Sequence, residues 1–401
     1  MNALVTLSAR FYITPDGLLW TPNKALQYSF WTRYFDVYDG IKLTARIKKV
    51  TKAADGWYVV SGPGVWPVAI PYYKGPNQYL MKMFSIRSVI KKLPVASGAL
   101  HMRVPGMIEN LVTAKIKDQP YGVEVVGDPY DIFAPGSVRH PLRPFFRCYF
   151  TKKMKEICYN AAAAAYVTES ALQKRYPVQK GCFSTHYSSI ELSESDFIER
   201  AGRFQTKHKS FRLVSVGSLN HFYKAPDILI EALIRLKGND KIAELVFIGD
   251  GIYKKQLEEL VNKNVLADMV KFKGYFSRKE EIQSELDQAD LFILPSRQEG
   301  LPKALIEAMA RGLPCIGSTA GGIPELLGRD VLVPPGDAEA LARKIEWMIS
   351  NPQFMAAQSK RNLEKAGEYT EDKLRKRRIE FYSYVKERTL EWQKSNSLKQ
   401  N

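Results

Sequence analysis

Residues 289–312 read ADLFILPSRQEGLPKALIEAMARG. The run 291–294 is apolar without alternation, as a strand buried on both faces requires. It ends at a proline and the polar segment Ser296-Arg297-Gln298-Glu299-Gly300. Pro302 then opens a helical pattern in which Leu305, Ala308 and Met309 share one face. An apolar strand fed through a glycine-containing turn into a helix is the repeating unit of a doubly wound α/β sheet. Ligands of such sheets bind beyond the carboxyl ends of the strands.

The same unit recurs on both sides of this stretch. From about residue 209 the apolar runs FRLVSVGS, ELVFIGDG, MVKFKGY, ADLFILPS, LPCIGST and DVLVPPGD alternate with the helical segments PDILIEALIRL, YKKQLEELVNK, KEEIQSELDQ, PKALIEAMARG and AEALARKIEWMIS. The first half is less regular. RFYITPDGLLW reads as a hairpin around Pro15-Asp16-Gly17. WYVVSGPG, ALHMRVPG, YGVEVVGDPYD and AAYVTES read as strands, and LMKMFSIRSVIKKL as a basic amphipathic helix. Two α/β domains follow, 1–205 and 206–375. The boundary falls in the polar segment SSIELSESDFIERAGRFQTKHKS, and a last helix, 376–401, packs back on the first domain through Ile379, Phe381, Tyr384 and Leu390.

A chain of 401 residues with 45% hydrophobic and 25% charged residues is globular rather than disordered or fibrous. No apolar run approaches the ~20 residues of a membrane span, and the first residues lack the pattern of a signal peptide. The four cysteines (Cys148, Cys158, Cys182, Cys315) contain no CxxC pair, which argues for reduced thiols in a cytoplasmic protein and against a zinc site. The net charge is +17, and the first 200 residues carry 26 Lys and Arg against 15 Asp and Glu. Such an excess favours polyanionic partners: nucleic acid, anionic lipid or phosphorylated substrates.

Two carboxylates, Glu299 and Glu307, flank the helix start in the opening stretch. One reading is plain: Glu299 complements the helix dipole, and Glu307 pairs with Arg311 at i,i+4 for a few tenths of a kcal/mol. In the other, each carboxylate accepts the paired hydroxyls of a sugar. The free amides of Leu301 and Lys303, either side of Pro302 in the donor-binding segment, would donate to phosphate oxygens between them, and Gly300 would let a ligand approach the backbone. Position favours the second reading, because similar devices end other strands of the sheet. In VSVGSLNHFYKAPDIL, Lys224 follows the strand end at Gly217 and precedes a helix opened by Pro226, where its charge calls for an anion. Gly249-Asp250-Gly251 and Gly321-Gly322 turn at two further strand ends. In the first half, Arg103 and Gly106 precede a helix as a second anion site. Asp128 ends another strand, where a turn or cap role competes with catalysis or acceptor binding. The stretches MKMFSIRSVIKKL and RPFFRCYFTKKMKEI mix bases with apolar residues, as a core-facing helix or a surface for anionic lipid would.

SRQEGLPKALIEAMARGLPCIGSTAGGIPELL resembles the donor-site signature of GT4 retaining glycosyltransferases with the GT-B fold, whose mark is two glutamates separated by seven residues. VGSLNHFYKAPDIL, FIGDG and FKGY, which ends at Tyr275, lie in the order expected of that family. The resemblance covers roughly residues 210–340, and more faintly RVPG and VVGDPYD. It implies two Rossmann-like domains facing a cleft and transfer of a sugar from a nucleotide diphosphate sugar, most often a UDP-sugar, to an acceptor hydroxyl with retention. It implies no cofactor and no bound metal. By this resemblance Glu307 holds the nucleotide ribose and Glu299 contacts the donor sugar. Lys224 and the amides around Gly300 and Gly321 neutralise the departing diphosphate. Many members carry an arginine where this chain has Ser218, which leaves more of that charge to Lys224 and Arg297. The glycine pair that commonly follows the first strand is absent, and no histidine stands clearly in the place of the one that contacts the donor in some relatives. The basic first half further implies a glycan or polyprenyl-linked acceptor at the inner membrane face, in cell-surface polysaccharide assembly. The competing readings are a nucleic-acid-binding protein and a sugar-nucleotide epimerase of the same fold. The first lacks the binding patterns such proteins carry; the second would need additional acid–base residues around the donor sugar.

Overall fold

The computed structural model describes residues 1–116, 118–134, 140–198, 210–238 and 242–400. Two sheets carry the fold. The first comprises β1 (Ala3–Ile13), β2 (Leu19–Thr21), β3 (Ile41–Lys49), β4 (Tyr58–Val59), β5 (Val65–Pro71), β6 (Ala99–Val104), β7 (Tyr121–Val125), β8 (Ala163–Tyr166) and β9 (Phe183–His186). Its parallel part runs β5-β3-β1-β6-β7-β8-β9. β1 pairs with β6 only as far as Leu7; a register shift between Thr6 and Arg10 follows, and the freed edge then takes antiparallel β2, which carries β4. The expected hairpin is therefore present, with Gly17 at φ 82° and Leu18 N donating to the Asp16 carboxylate.

Strands β3 and β5 are not apparent in the sequence. Exposed and half-buried positions of β3 carry Lys and Arg, and β5 contains Pro67 and Pro71, which its place at the edge of the sheet tolerates.

The second sheet is all parallel: β10 (Phe211–Val216), β11 (Ile242–Ile248), β12 (Val270–Phe272), β13 (Leu291–Leu294), β14 (Cys315–Ser318) and β15 (Leu332–Val333) in the order β12-β11-β10-β13-β14-β15. Chain direction across the sheet reverses between β10 and β13, so the loops after these two strands flank a topological switch point. Within this sheet Leu213, Val214, Leu245, Val246 and Leu291–Leu294 are fully buried, as the continuous apolar runs require. The five helices read from the sequence are at Pro226–Arg235, Lys254–Lys263, Lys279–Asp287, Lys303–Ala310 and Ala338–Ile349. A further helix, Pro352–Ala366, follows them. The proposed boundary at 205/206 lies outside the described residues.

The final helix, Glu371–Gln400, returns to the first sheet. Its buried stripe is Leu374, Arg378, Phe381, Tyr382, Val385 and Thr389. Of the docking residues expected, Phe381 is buried and Tyr384 stacks on Phe183, with ring centroids 5.1 Å apart. Leu390 is exposed, because the three-and-four spacing from Leu374 carries the stripe through Val385 and Thr389 instead. Gly122 on β7 makes room: a Cβ there would stand 2.7 Å from Val385 Cγ2 and 2.9 Å from Phe381 Cζ. The Tyr38 hydroxyl seals the contact by donating to Tyr382 O at 2.8 Å.

Candidate active site

The four strand-end turns of the second sheet are stacked backbone on backbone. Gly249, at φ 145°, follows β11 so closely that a Cβ would collide with Gly217 O, and a Cβ on Gly251 would collide with Leu219 and Asn220. Gly217 in turn passes the Lys224 stem, whose Cγ would stand 3.1 Å from a Cβ. On the other side of the switch point Gly321 adopts φ 53°, and a Cβ would strike Glu299 O. Gly322 N donates to Gly300 O at 2.8 Å. The turns thus form one continuous rim along the carboxyl edge.

On that rim Lys224 Nζ donates to Glu299 Oε1 at 2.5 Å, and Ser296 Oγ donates to the same oxygen at 2.7 Å. The side chains are 18% and 7% exposed. Lys224 ends a single 3-10 turn, and Ala225 (φ 55°) and Pro226 then reverse the chain into the helix. This turn holds the ammonium beside the β13 loop rather than in solvent. Among the described residues Glu299 Oε2 has no hydrogen-bond partner, so one carboxylate oxygen stays available to a hydroxyl.

Arg297 stands elsewhere. Its guanidinium makes a bidentate pair with Asp227, both bonds 2.7 Å, and donates to Phe222 O at 2.9 Å, while its amide donates to Tyr223 O at 2.7 Å. It therefore staples the two switch-point loops together instead of offering a free charge to phosphate. Asp227, which completes this staple, carries no sign of the role in its local sequence.

Glu307 lies one turn into the Lys303–Ala310 helix and is half-buried. The surface pair with Arg311 does not form: Arg311 makes a bidentate pair with Asp287 and donates to Asp196 O. Among the described residues the Glu307 carboxylate has no hydrogen bond or salt bridge. Burial pushes its pKa up, opposed by the nearby charges of Lys303 and Lys279. Lys303, at the start of the same helix, also lacks a salt bridge among the described residues, and burial lowers its pKa. The helix N-cap position is Pro302, which supplies no side-chain cap to the first amides. An unpaired carboxylate, an unpaired ammonium and uncapped amides therefore share one helix end. Only the Lys303 amide, not its ammonium, figured in the sequence reading.

The rim faces the first sheet. A Cβ on Gly300 would meet Val126 O at 3.4 Å and Val167 at 3.7 Å, and one on Gly322 would meet Thr168 at 3.0 Å. The close approach expected at Gly300 is thus made to the strand ends of β7 and β8. Gly300, Leu301 and Lys303 line a cavity of about 170 Å³ together with Arg33, Arg103 and Glu124. Arg103 is held there by an ion pair to buried Glu124 and by the Phe30 ring 4.7 Å from its guanidinium carbon. Glu325, three residues beyond the glycine pair, accepts from the amides of Glu169 (2.6 Å), Ser170 (2.9 Å) and Ala171 (2.6 Å), so a carboxylate of the second sheet caps a helix of the first. Tyr275, after β12, is largely exposed; partial burial and the Tyr58 hydroxyl of the first sheet raise its pKa. Ser218 donates no charge to the site, and the Asn220 amide donates to its hydroxyl.

Asp128 takes the capping role. It is buried, accepts from Tyr130 N at 2.8 Å and from the Tyr176 hydroxyl at 2.5 Å, and is paired with Arg175. Both oxygens are engaged within the first sheet, which matches the turn-and-cap alternative for this residue. Among the described residues no group of three or more His, Cys, Asp or Glu is placed to hold a metal ion.

Residues 197–368 match the family model for glycosyl transferases group 1. Protein CapJ of Staphylococcus aureus is 28% identical over 334 residues, 82% of each chain. The amylovoran biosynthesis glycosyltransferase AmsK of Erwinia amylovora is 42% identical over 144 residues, 34% of this chain and 35% of its own length. In fold, the chain is similar to the sucrose-phosphate synthase of Thermosynechococcus elongatus, with a TM-score of 0.70 at 16% identity over 96% of this chain and 99% of the other. The Anabaena HepE structure in complex with UDP superposes with a TM-score of 0.59 at 15% identity, over 98% of this chain and all of its own.

Proposed function

Because this chain is a GT4-like glycosyltransferase with the GT-B fold, we propose that it moves a sugar from a UDP-sugar to an acceptor hydroxyl with retention. The observation that carries this reading is the Lys224–Glu299 pair at the switch point, with one Glu299 oxygen left open and the glycine turns packed around it.

In this reading the donor lies along the rim. Glu307 accepts the ribose hydroxyls, and its burial without a partner leaves it short of the donors that a ribose provides. Glu299 Oε2 accepts a hydroxyl of the transferred sugar. Lys224 and the uncapped amides at the start of the Lys303–Ala310 helix stabilise the negative charge that grows on the diphosphate as the glycosidic bond breaks. The Lys303 ammonium adds to that field and takes up the share that Arg297, engaged by Asp227, does not supply. The acceptor enters from the first sheet's strand ends. That AmsK is by name a glycosyltransferase of amylovoran biosynthesis, and that HepE was solved with UDP, supports a place in polysaccharide assembly and a uridine donor. The nucleic-acid and epimerase readings have no comparable support.

The test is a panel of nucleotide sugars incubated with the protein and followed by proton NMR. Slow hydrolysis of one of them that releases the sugar first as the donor's own anomer is expected. Release of the opposite anomer would refute retention.

A further inference from the structure

The helix Gly75–Lys92 turns Ile86 and Ile90 to the core and leaves its largest apolar side chains in water. Leu80 is 60% exposed, Met81 83% and Phe84 79%. At the start of the neighbouring helix Arg143–Tyr159, Leu142 and Phe145 are 55% and 59% exposed. Both helices contact the helix Met107–Thr113, and their buried faces, Ile86 and Ile90 on one and Met154 and Ile157 on the other, share one hydrophobic core. The five residues therefore belong to one flank of the first sheet. Isolated apolar side chains on a surface need no explanation, but a group of this size on two adjacent helices marks a contact surface.

Charge identifies the partner. The first helix contains Lys82, Arg87, Lys91 and Lys92 and no acidic residue. The second contains Arg143, Arg147, Lys152, Lys153 and Lys155 against a single Glu156. A second copy docked through the same flank would bring these bases face to face. A bilayer with anionic headgroups matches both features: its interface receives the aromatic and aliphatic side chains, and its surface potential attracts the bases.

Orientation gives the contact a purpose. Each helix starts at the carboxyl edge of the first sheet, the edge that faces the rim of the second. Leu80 and Met81 lie in the first half of their helix and Phe84 at its middle, while Leu142 and Phe145 flank the start of the second. They consequently lie toward the end of this flank that is nearer the carboxyl edge of the first sheet.

We propose that this flank seats the protein on an anionic lipid surface, with Met81 and Phe84 in the headgroup layer, so that an acceptor carried on a lipid reaches the strand ends of the first sheet. The lipid-borne acceptor rests on the glycosyltransferase reading; the docking itself does not. The experiment is sedimentation of the full chain with phosphatidylcholine vesicles with and without phosphatidylglycerol, at low and high salt. Binding only to the anionic vesicles, weakening as salt rises, is expected. The double variant Met81→Glu/Phe84→Glu changes only exposed side chains and should lower partitioning about tenfold. Its UDP affinity in solution should stay unchanged. Lys91→Gln/Lys92→Gln should lower partitioning several-fold. Absence of binding to the anionic vesicles, equal binding by the double variant, or a dimer in light scattering that Phe84→Glu dissolves would each overturn the proposal. Vesicle binding by a protein that takes no nucleotide sugar would leave the docking standing and remove the catalytic reading.

Discussion

At the level of single residues, the ribose-binding role proposed for Glu307 and the stability of the fold pull in opposite directions. Its pKa is raised in the folded state, so the folded protein holds that proton more tightly than the unfolded chain. The associated stability is therefore present at low pH and is lost as pH rises through the raised value. Glu307→Gln should leave stability at neutral pH unchanged or raise it by up to about 1 kcal/mol in a denaturant titration. The same change should weaken UDP binding by about tenfold in calorimetry, because a neutral amide is a poorer acceptor for two hydroxyls. UDP affinity of the parent should also fall as pH drops through the raised Glu307 pKa, in a window above the usual carboxylate range; a flat profile down to pH ~4 would contradict it. The sequence made both glutamates visible but not their partners. Arg311 at i,i+4 was the natural partner for Glu307, yet it reaches Asp287, on the preceding helix. Arg297 and Asp128 show the same blind spot. Spacing reports which residues sit at a strand end, whereas the counter-charges Asp227 and Arg175 come from the helices Pro226–Arg235 and Ala171–Arg175.

For the elements, the rim depends on glycine where two turns meet. Gly321→Ala places a Cβ against Glu299 O in a left-handed conformation. It should cost about 2–4 kcal/mol and lower kcat/KM by more than tenfold, since it displaces the backbone that carries Glu299. Gly336→Ala is the control: it also has positive φ (84°), but nothing lies within 4 Å of a Cβ. It should cost about 1 kcal/mol and leave kcat/KM alone. Equal effects in the two variants, read by thermal melting and steady-state rates, would remove the rim argument. These elements were legible because β10, β11, β13 and β14 are continuous apolar runs that stop at small or polar residues. The first sheet was legible only in part. β3 alternates bases with apolar residues, and β5 is interrupted by prolines, so neither gives the signature of a buried parallel strand.

For the whole molecule, the two sheets are joined at the cleft by Glu325, whose carboxylate takes three amides of the opposite sheet's 169–171 segment. No pattern within the chain announces this contact, because it exists only once both sheets are formed. Glu325→Ala should destabilise the closed arrangement by about 1–3 kcal/mol. Small-angle scattering should then show a larger radius of gyration that UDP brings back toward the parent value; an unchanged radius would show that the contact does not hold the cleft. The central proposal is a nucleotide diphosphate sugar bound across the switch point by Glu307, Glu299 and Lys224. Calorimetric titration of a nucleotide-sugar panel into the parent and into Glu307→Ala tests that most directly. Saturable binding of at least one UDP-sugar by the parent, and a loss of about tenfold or more in the variant, are expected. Absence of binding throughout the panel, or equal affinity in the two proteins, would contradict it.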